Sequence, residues 1–498
     1  AATLSAPADK KAALEAALKQ KGFSVEEPRT HTLAVMDPQA ANDPAKPQSK
    51  TVWLSDVVKI TGADKVQEIL AKEMANAIDP AKINVPGILK PATLWVMKKL
   101  GMLKTPVNPA GSIIDTGNDP AHPMLKGHYT KDAKDGHGHG TWVGSAVVSM
   151  DPQQKNLRSY NTFSNGSATT DDILRDLTAA HKDGVEWFTN SWGDSYGDPA
   201  SLEGQAVIKI AESGKVQFFA AGNEGSGDNT VGGPAIAYYK DPKTGTMMIV
   251  SVGATDSDKV TAWFQSRGPW SPYVKENESK FPGYPVRVDI QSVGHKVYGA
   301  YPTYMRGADK VDPKLGPQKE SSGTSMSTPT MGGAYSLLRE FGFEPAAIVK
   351  AMLENTEKMG KPEAEGGQGF VNVLAAYQAL KKAQANTTQA KFRRFFASAI
   401  GAAAMAVAAL MPISASASMV GGHPAAKVGL ATVGGAVVGF AAGAAAGARV
   451  SRDQSGRDYG ALVGLAIIFR LMVIGLFGWG GAGAGAIAGA LIGASSSH

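Results

Sequence analysis

Cysteine is absent from all 498 residues. A disulfide scaffold, a thiol nucleophile, an Fe–S cluster and a cysteine-ligated zinc are thereby excluded. Charge is missing over long stretches near the end. Phe395–Ala426, Val428–Ala448 and Leu471–Ser497 contain no Asp, Glu, Lys or Arg. Each is long enough to cross a hydrocarbon core, which takes roughly 20 apolar residues. The formal net charge is +6, and residues 391–498 carry all of it through eight basic and two acidic side chains. Residues 1–390 hold 42 groups of each sign. No excess of basic charge is left to the folded part, so nucleic acid is not an expected partner.

What is present divides the chain in three. Residues 1–105 are polar at first and then helical. Lys10–Gln20, Val66–Ala77 and Thr93–Leu103 have helical spacing, and Asp37–Ser49 reads as linker. Residues 106–390 alternate short apolar runs with helical stretches. Ser112–Ile114, Val185–Asn190, Val216–Ala220 and Met248–Val252 read as buried strands. Thr169–Asp183, Ser201–Ser213, Thr328–Phe341, Glu344–Asn355 and Val371–Ala383 read as helices. Such alternation predicts an α/β domain with a mainly parallel sheet between helical layers. Residues 391–498 are rich in Gly and Ala, with glycines spaced by four at Gly435, Gly439, Gly443 and Gly447 and in two later runs. That spacing leaves a smooth helix face on which backbones approach closely. The expectation is a transmembrane-like helical tail, membrane-associated through residues 395–493 and able to self-associate.

Three patches carry chemistry. Ser112-Ile-Ile-Asp115-Thr-Gly117 ends an apolar strand in a carboxylate. Gly136-His137-Gly-His139-Gly-Thr141 precedes a helical run. Ser321-Ser-Gly-Thr324-Ser325-Met-Ser327-Thr-Pro329 sets serines at a helix entry, with Pro329 expected in its first turn. A serine hydroxyl is a poor nucleophile until an imidazole takes its proton, and the imidazole needs a carboxylate to fix its tautomer. A helix N-terminus adds partial positive charge where an oxyanion develops.

In this order the patches resemble the subtilisin-like serine proteases, the subtilases, over residues 111–385. Two more agree: Ala220-Ala221-Gly222-Asn223-Glu224-Gly225, similar to the family's oxyanion asparagine motif, and Asn190-Ser191-Trp192-Gly193, similar to its substrate-binding strand. The resemblance implies a three-layer subtilisin-like domain and an endopeptidase acting on polypeptides. In it Asp115 orients, His139 is the base and then the acid, Ser325 is the nucleophile, and Asn223 holds the oxyanion. Ser191, Trp192 and Gly193 would pair with the substrate backbone, while Ala221, Gly222 and Gly232 would border the pocket for the residue before the cut. Catalysis needs no cofactor by this resemblance. Structural calcium is common in the family, but the spacing places no ligands. The 102 residues from Asn223 to Ser325 imply surface insertions at Pro269–Tyr284 and Thr303–Lys319.

Several readings stay open on the residues alone. Trp192 is either an aromatic wall for a substrate side chain or a tryptophan packed under a loop. Asp119 and Asp135 read as structural or solvated, and Ser327 as a capping residue. Residues 1–105 are a removable propeptide or a retained extension, with the extension preferred. Lys391–Ala417 resembles a signal peptide out of place, and so is an anchor or a fusion boundary. Export with membrane attachment is the expected location. Two rival functions remain: a non-catalytic binding module on a protease fold, and a membrane-inserting oligomer with an attached processing protease.

Overall fold

The computed structural model describes residues 8–22, 25, 29–75 and 107–387. The contacts divide the chain into two units, Ala1–Ala385 and Asn386–His498. The tail, the Thr93–Leu103 helix and the Lys391–Ala417 segment lie outside the described residues. Among the described residues no helix is long and apolar enough to cross a membrane.

In chain order the strands are β1 Thr30–Leu33, β2 Val52–Trp53, β3 Gly111–Asp115, β4 Tyr129–Lys131, β5 Leu157–Asn161, β6 Ser167–Thr169, β7 Trp187–Asn190, β8 Trp192–Gly193, β9 Val216–Ala220, β10 Ile249–Thr255, β11 Ile290–Val293, β12 Val297–Ala300, β13 Lys310–Asp312 and β14 Gly316–Ser321. Seven build the central sheet in the order β11-β10-β9-β7-β3-β5-β4, and every pairing in it is parallel. All residues of β3, β7, β9 and β10 are buried. A parallel sheet buried on both faces needs helices on both, which explains runs such as Ile249–Val252 with no polar alternation. The Thr324–Glu340 helix packs on β7, β9, β10 and β11, and the Thr170–Lys182 helix on β3. Within the described residues the expected strands and helices are present, most of their ends shifted by four residues or fewer.

Residues 29–75 belong to the same unit as the sheet. Val52 and Trp53 run parallel to β12. Leu54, Val57, Val58, Val66 and Leu70 lie in the main hydrophobic core. Part of the polar start is also structured. Thr30–Leu33 is a strand, held between β6 and β8 in an antiparallel sheet of three. The expected surface insertions fold too: Pro272–Glu276 is a short helix, and β13 and β14 make a hairpin that exposes Val311 in mid-strand.

One buried acid couples this fold to pH. Burial, and then the neighbouring Asp151 carboxyl, pushes Glu340 up to about 8. Folding therefore favours its protonated form. That stability is whole below the ordinary value of 4.5 and is lost as pH rises toward 8. Each tenfold gain in proton affinity on folding is worth at most about 1.4 kcal/mol. Glu340→Gln should therefore flatten the fall in Tm between pH 5 and 8.5, measured by thermal melts. An unchanged slope would show that Glu340 ionises freely in the fold.

Candidate active site

The sheet order reverses between β3 and β7, and α/β folds gather their sites beyond the carboxyl ends of strands at such a point. Asp115 is the last residue of β3, Ser191 follows β7, and Ala221-Gly222-Asn223 follows β9. Asp115 is fully buried, and its Oδ1 accepts from His139 Nδ1 at 2.8 Å and from Thr116 N at 2.8 Å. His139 opens the His139–Met150 helix. Its Nε2 is buried and has no hydrogen-bond partner.

Asp135 places that helix. Its carboxylate accepts from Thr116 Oγ1, His137 N, Gly138 N, Thr141 N and Thr141 Oγ1, all at 2.7–2.9 Å. It satisfies N–H groups that the first turn leaves without helical partners. The structural reading of Asp135 holds, and the residue is the knot between β3 and the histidine loop.

Ser325 stands in the first turn of the Thr324–Glu340 helix, after Gly323 with φ 147°. Pro329 is the sixth residue of that helix, not in its first turn. The reason is chemical. Proline has no N–H to give the carbonyl four residues earlier. Here that carbonyl belongs to Ser325, and Ser191 Oγ donates to it at 3.0 Å. In return Ser325 Oγ donates to the Ser191 carbonyl at 2.7 Å. The hydroxyl is thus turned to Ser191 and not to His139. Ser327 is buried, and its hydroxyl donates to Thr324 O at 3.0 Å, so it caps no N–H.

Asn223 Oδ1 accepts from Thr324 N at 2.9 Å and Thr324 Oγ1 at 3.0 Å. Those donors orient the amide and leave Nδ2 buried without a partner. Gly222 N donates to Thr324 Oγ1 at 3.2 Å, and Gly232 N to Ala221 O at 2.9 Å. The structure therefore brings Ala221, Gly222 and Gly232 together beside the start of the Thr324–Glu340 helix. Trp192 is fully buried against Phe163 and Phe219 and lies perpendicular to the His31 ring, so it packs as core. Among the described residues no group of three or more His, Asp or Glu side chains is placed to hold a metal ion, and no calcium is assigned.

The cleft is filled by the chain itself. Thr32 and Leu33 pair antiparallel with Gly193 and Trp192. Ala34 N donates to Ser191 O at 3.0 Å, and Met36 N to Ser322 O at 2.7 Å. Between them, Ser325 N donates to the Ala34 carbonyl at 2.9 Å. A Cβ on Gly323 would collide with Ala34 O and lie 3.1 Å from Asn223 Nδ2, so both groups border one small space. Sequence reasoning passed over this segment. Its signal was the alternation in Thr30-His-Thr-Leu33, which buries His31 and Leu33 and exposes the two threonines.

A carboxylate–imidazole pair, a helix-borne serine and a backbone N–H that holds a strand-bound carbonyl are the parts of a serine hydrolase. Residues 111–372 match the Subtilase family, Peptidase_S8, and the chain belongs to that family of serine endopeptidases. It is 30% identical to Subtilisin DY of Bacillus licheniformis over 287 residues, covering 53% of this chain and 89% of that one. It is 27% identical to Thermitase of Thermoactinomyces vulgaris, over 54% of this chain and 88% of that one. It is also 27% identical to the Membrane-bound transcription factor site-1 protease of Mus musculus, over 59% of this chain and 26% of that one.

The Asp135 knot yields a prediction. Asp135→Ala strands its five donors and should cost about 2–4 kcal/mol of stability, read as a lower urea midpoint. A cost under about 0.5 kcal/mol would mean that other groups position the histidine loop.

Proposed function

We propose that the endopeptidase works through Ser325, His139 and Asp115, and that residues 29–36 are the first polypeptide it binds and cuts. The observation that carries this is the Ala34 carbonyl on the Ser325 N–H at 2.9 Å. That amide has no acceptor within its own helix, and a helix N-terminus is the place for an oxyanion.

The chemistry follows from the geometry. Asp115 on Nδ1 keeps the proton there and leaves Nε2 of His139 basic. The Ser325 hydroxyl leaves Ser191 O, turns to Nε2 and gives up its proton. Its oxygen bonds to the Ala34 carbonyl carbon, and the charge on the carbonyl oxygen meets Ser325 N–H and Asn223 Nδ2. His139 passes the proton to Val35 N, and the Ala34–Val35 bond breaks. Water, deprotonated by His139, then attacks the ester carbon, His139 returns that proton to Ser325 Oγ as the ester bond breaks, and residues 1–34 leave with a new carboxylate. Residues 37–75 stay, because their apolar side chains are part of the core. The extension is thus removable only upstream of Val35.

Ser191, Trp192 and Gly193 are the substrate-pairing strand in this reading, and Ala221, Gly222 and Gly232 border the pocket for the residue before the cut. Membrane attachment through residues 395–493 and self-association there rest on the sequence pattern of the tail, and export on the habit of the family.

Intact mass and casein hydrolysis test the reading together. Wild type should lack residues 1–34 and digest casein, and Ser325→Ala should keep them and digest nothing. Asn223→Ala should lower kcat by about 10²–10³ with KM nearly unchanged. A Ser325→Ala chain as active as wild type would overturn the assignment, and an inert wild type would favour the binding-module reading.

A further inference from the structure

His31, the fourth residue back from the Ala34–Val35 bond, is 1% exposed. Its Nε2 lies 3.4 Å from Asp194 Oδ2 and 3.6 Å from Glu203 Oε1. Both carboxylates are largely covered, at 11% and 0% side-chain exposure. Asp194 is held in place from behind, since its Oδ1 accepts from Tyr196 N at 2.8 Å and Gly197 N at 2.6 Å. Its Oδ2 is left to face the imidazole. Glu203 Oε1 also accepts from Thr170 Oγ1, while its Oε2 is buried with no partner. Burial pushes the Asp194 carboxyl up, but the hydrogen bonds from His31 and the loop amides outweigh it and hold it below the usual range.

Two buried carboxylates facing one site are costly unless a cation stands between them. Side chains two apart on a strand share a face. Arg29, two residues before His31, pairs through Nη2 with Asp198 Oδ2 at 3.0 Å. The upstream half of the cleft is therefore acidic at successive stations, and the chain's own segment meets it with basic groups. Trp192 supplies the apolar wall, edge-on to His31 at 6.0 Å between ring centres.

We propose that Asp194 and Glu203 form a cation-selective pocket, so that the enzyme's substrates are polypeptides carrying a basic side chain four residues before the cut. This rests on the protease reading of the cleft. The nature of the pocket gives it a second role. A segment with His31 stays seated by its contacts with both carboxylates, and one with a carboxylate there is expelled.

The test uses the full chain carrying Ser325→Ala and His31→Glu, which should vacate the cleft while keeping its circular dichroism spectrum. Fluorescent peptides with the sequence of residues 29–36, bearing His, Lys, Leu or Glu at the position of His31, are titrated by anisotropy. The pH is about 5.5, below the free imidazole value of about 6.5. His and Lys peptides should bind about tenfold or more tighter than Leu, with Glu weakest. Adding Asp194→Asn should cut that ratio severalfold while leaving the Leu peptide's affinity in place. A smaller ratio, a ratio that Asp194→Asn leaves alone, or no binding at all overturns the proposal. If the selectivity holds and the wild type still hydrolyses none of the peptides, the protease reading fails and the pocket stands.

Discussion

A helix that begins inside a protein must find acceptors for its first N–H groups, and this site is organised around that need. At the start of the Thr324–Glu340 helix, Thr324 N is taken by Asn223 and Ser325 N by the Ala34 carbonyl. Met326 N turns back to Gly323 O. The middle donor is the one that chemistry needs. A carbonyl placed on it is polarised by the helix terminus and is held by the residue that bears the Ser325 hydroxyl. Pro329 completes the arrangement by freeing the Ser325 carbonyl for Ser191. The Ser191–Gly193 segment and the helix that bears Ser325 are thereby locked to each other.

The sheet supplies what the helix cannot. Parallel strands buried on both faces are stiff, and three of them deliver Asp115, Ser191 and Asn223 to one edge. The histidine loop is less constrained by the sheet, and Asp135 ties it down through five donors. Residues 37–75 wrap the same domain and contribute Leu54, Val57 and Leu70 to its core. The segment crossing the cleft is therefore anchored downstream by packing and upstream by the acidic stations at Asp194, Asp198 and Glu203. A tethered strand of this kind has a high effective concentration, so moderate contacts suffice to hold it.

Much of this was legible in the residues. Unbroken apolar runs such as Val216–Ala220 announce buried parallel strands, because both faces of the sheet must be covered. Asp115, His139, Asn223 and Ser325 were legible through short motifs in family order. In the sequence Pro329 looks like a first-turn proline and suggests too late a start for the Thr324–Glu340 helix, whereas the Ser191 hydroxyl explains its place in the second turn. Residues 29–36 were read as part of a polar start. Their strand has no core of its own, and its partners, β6 and β8, lie far along the chain, so local pattern gives little sign of it. Asp194 and Glu203 were missed for the same reason. Their meaning comes from His31, which only the fold brings to them.

The central claim is that Arg29–Met36 lies in the cleft as a substrate strand. Hydrogen exchange on the full-length Ser325→Ala chain, read at single amides, tests it most directly. The account predicts that Ala34 N–H and Met36 N–H exchange orders of magnitude more slowly than in a free peptide, since they are bonded to Ser191 O and Ser322 O. Exchange of both at the rate of the free peptide would contradict it.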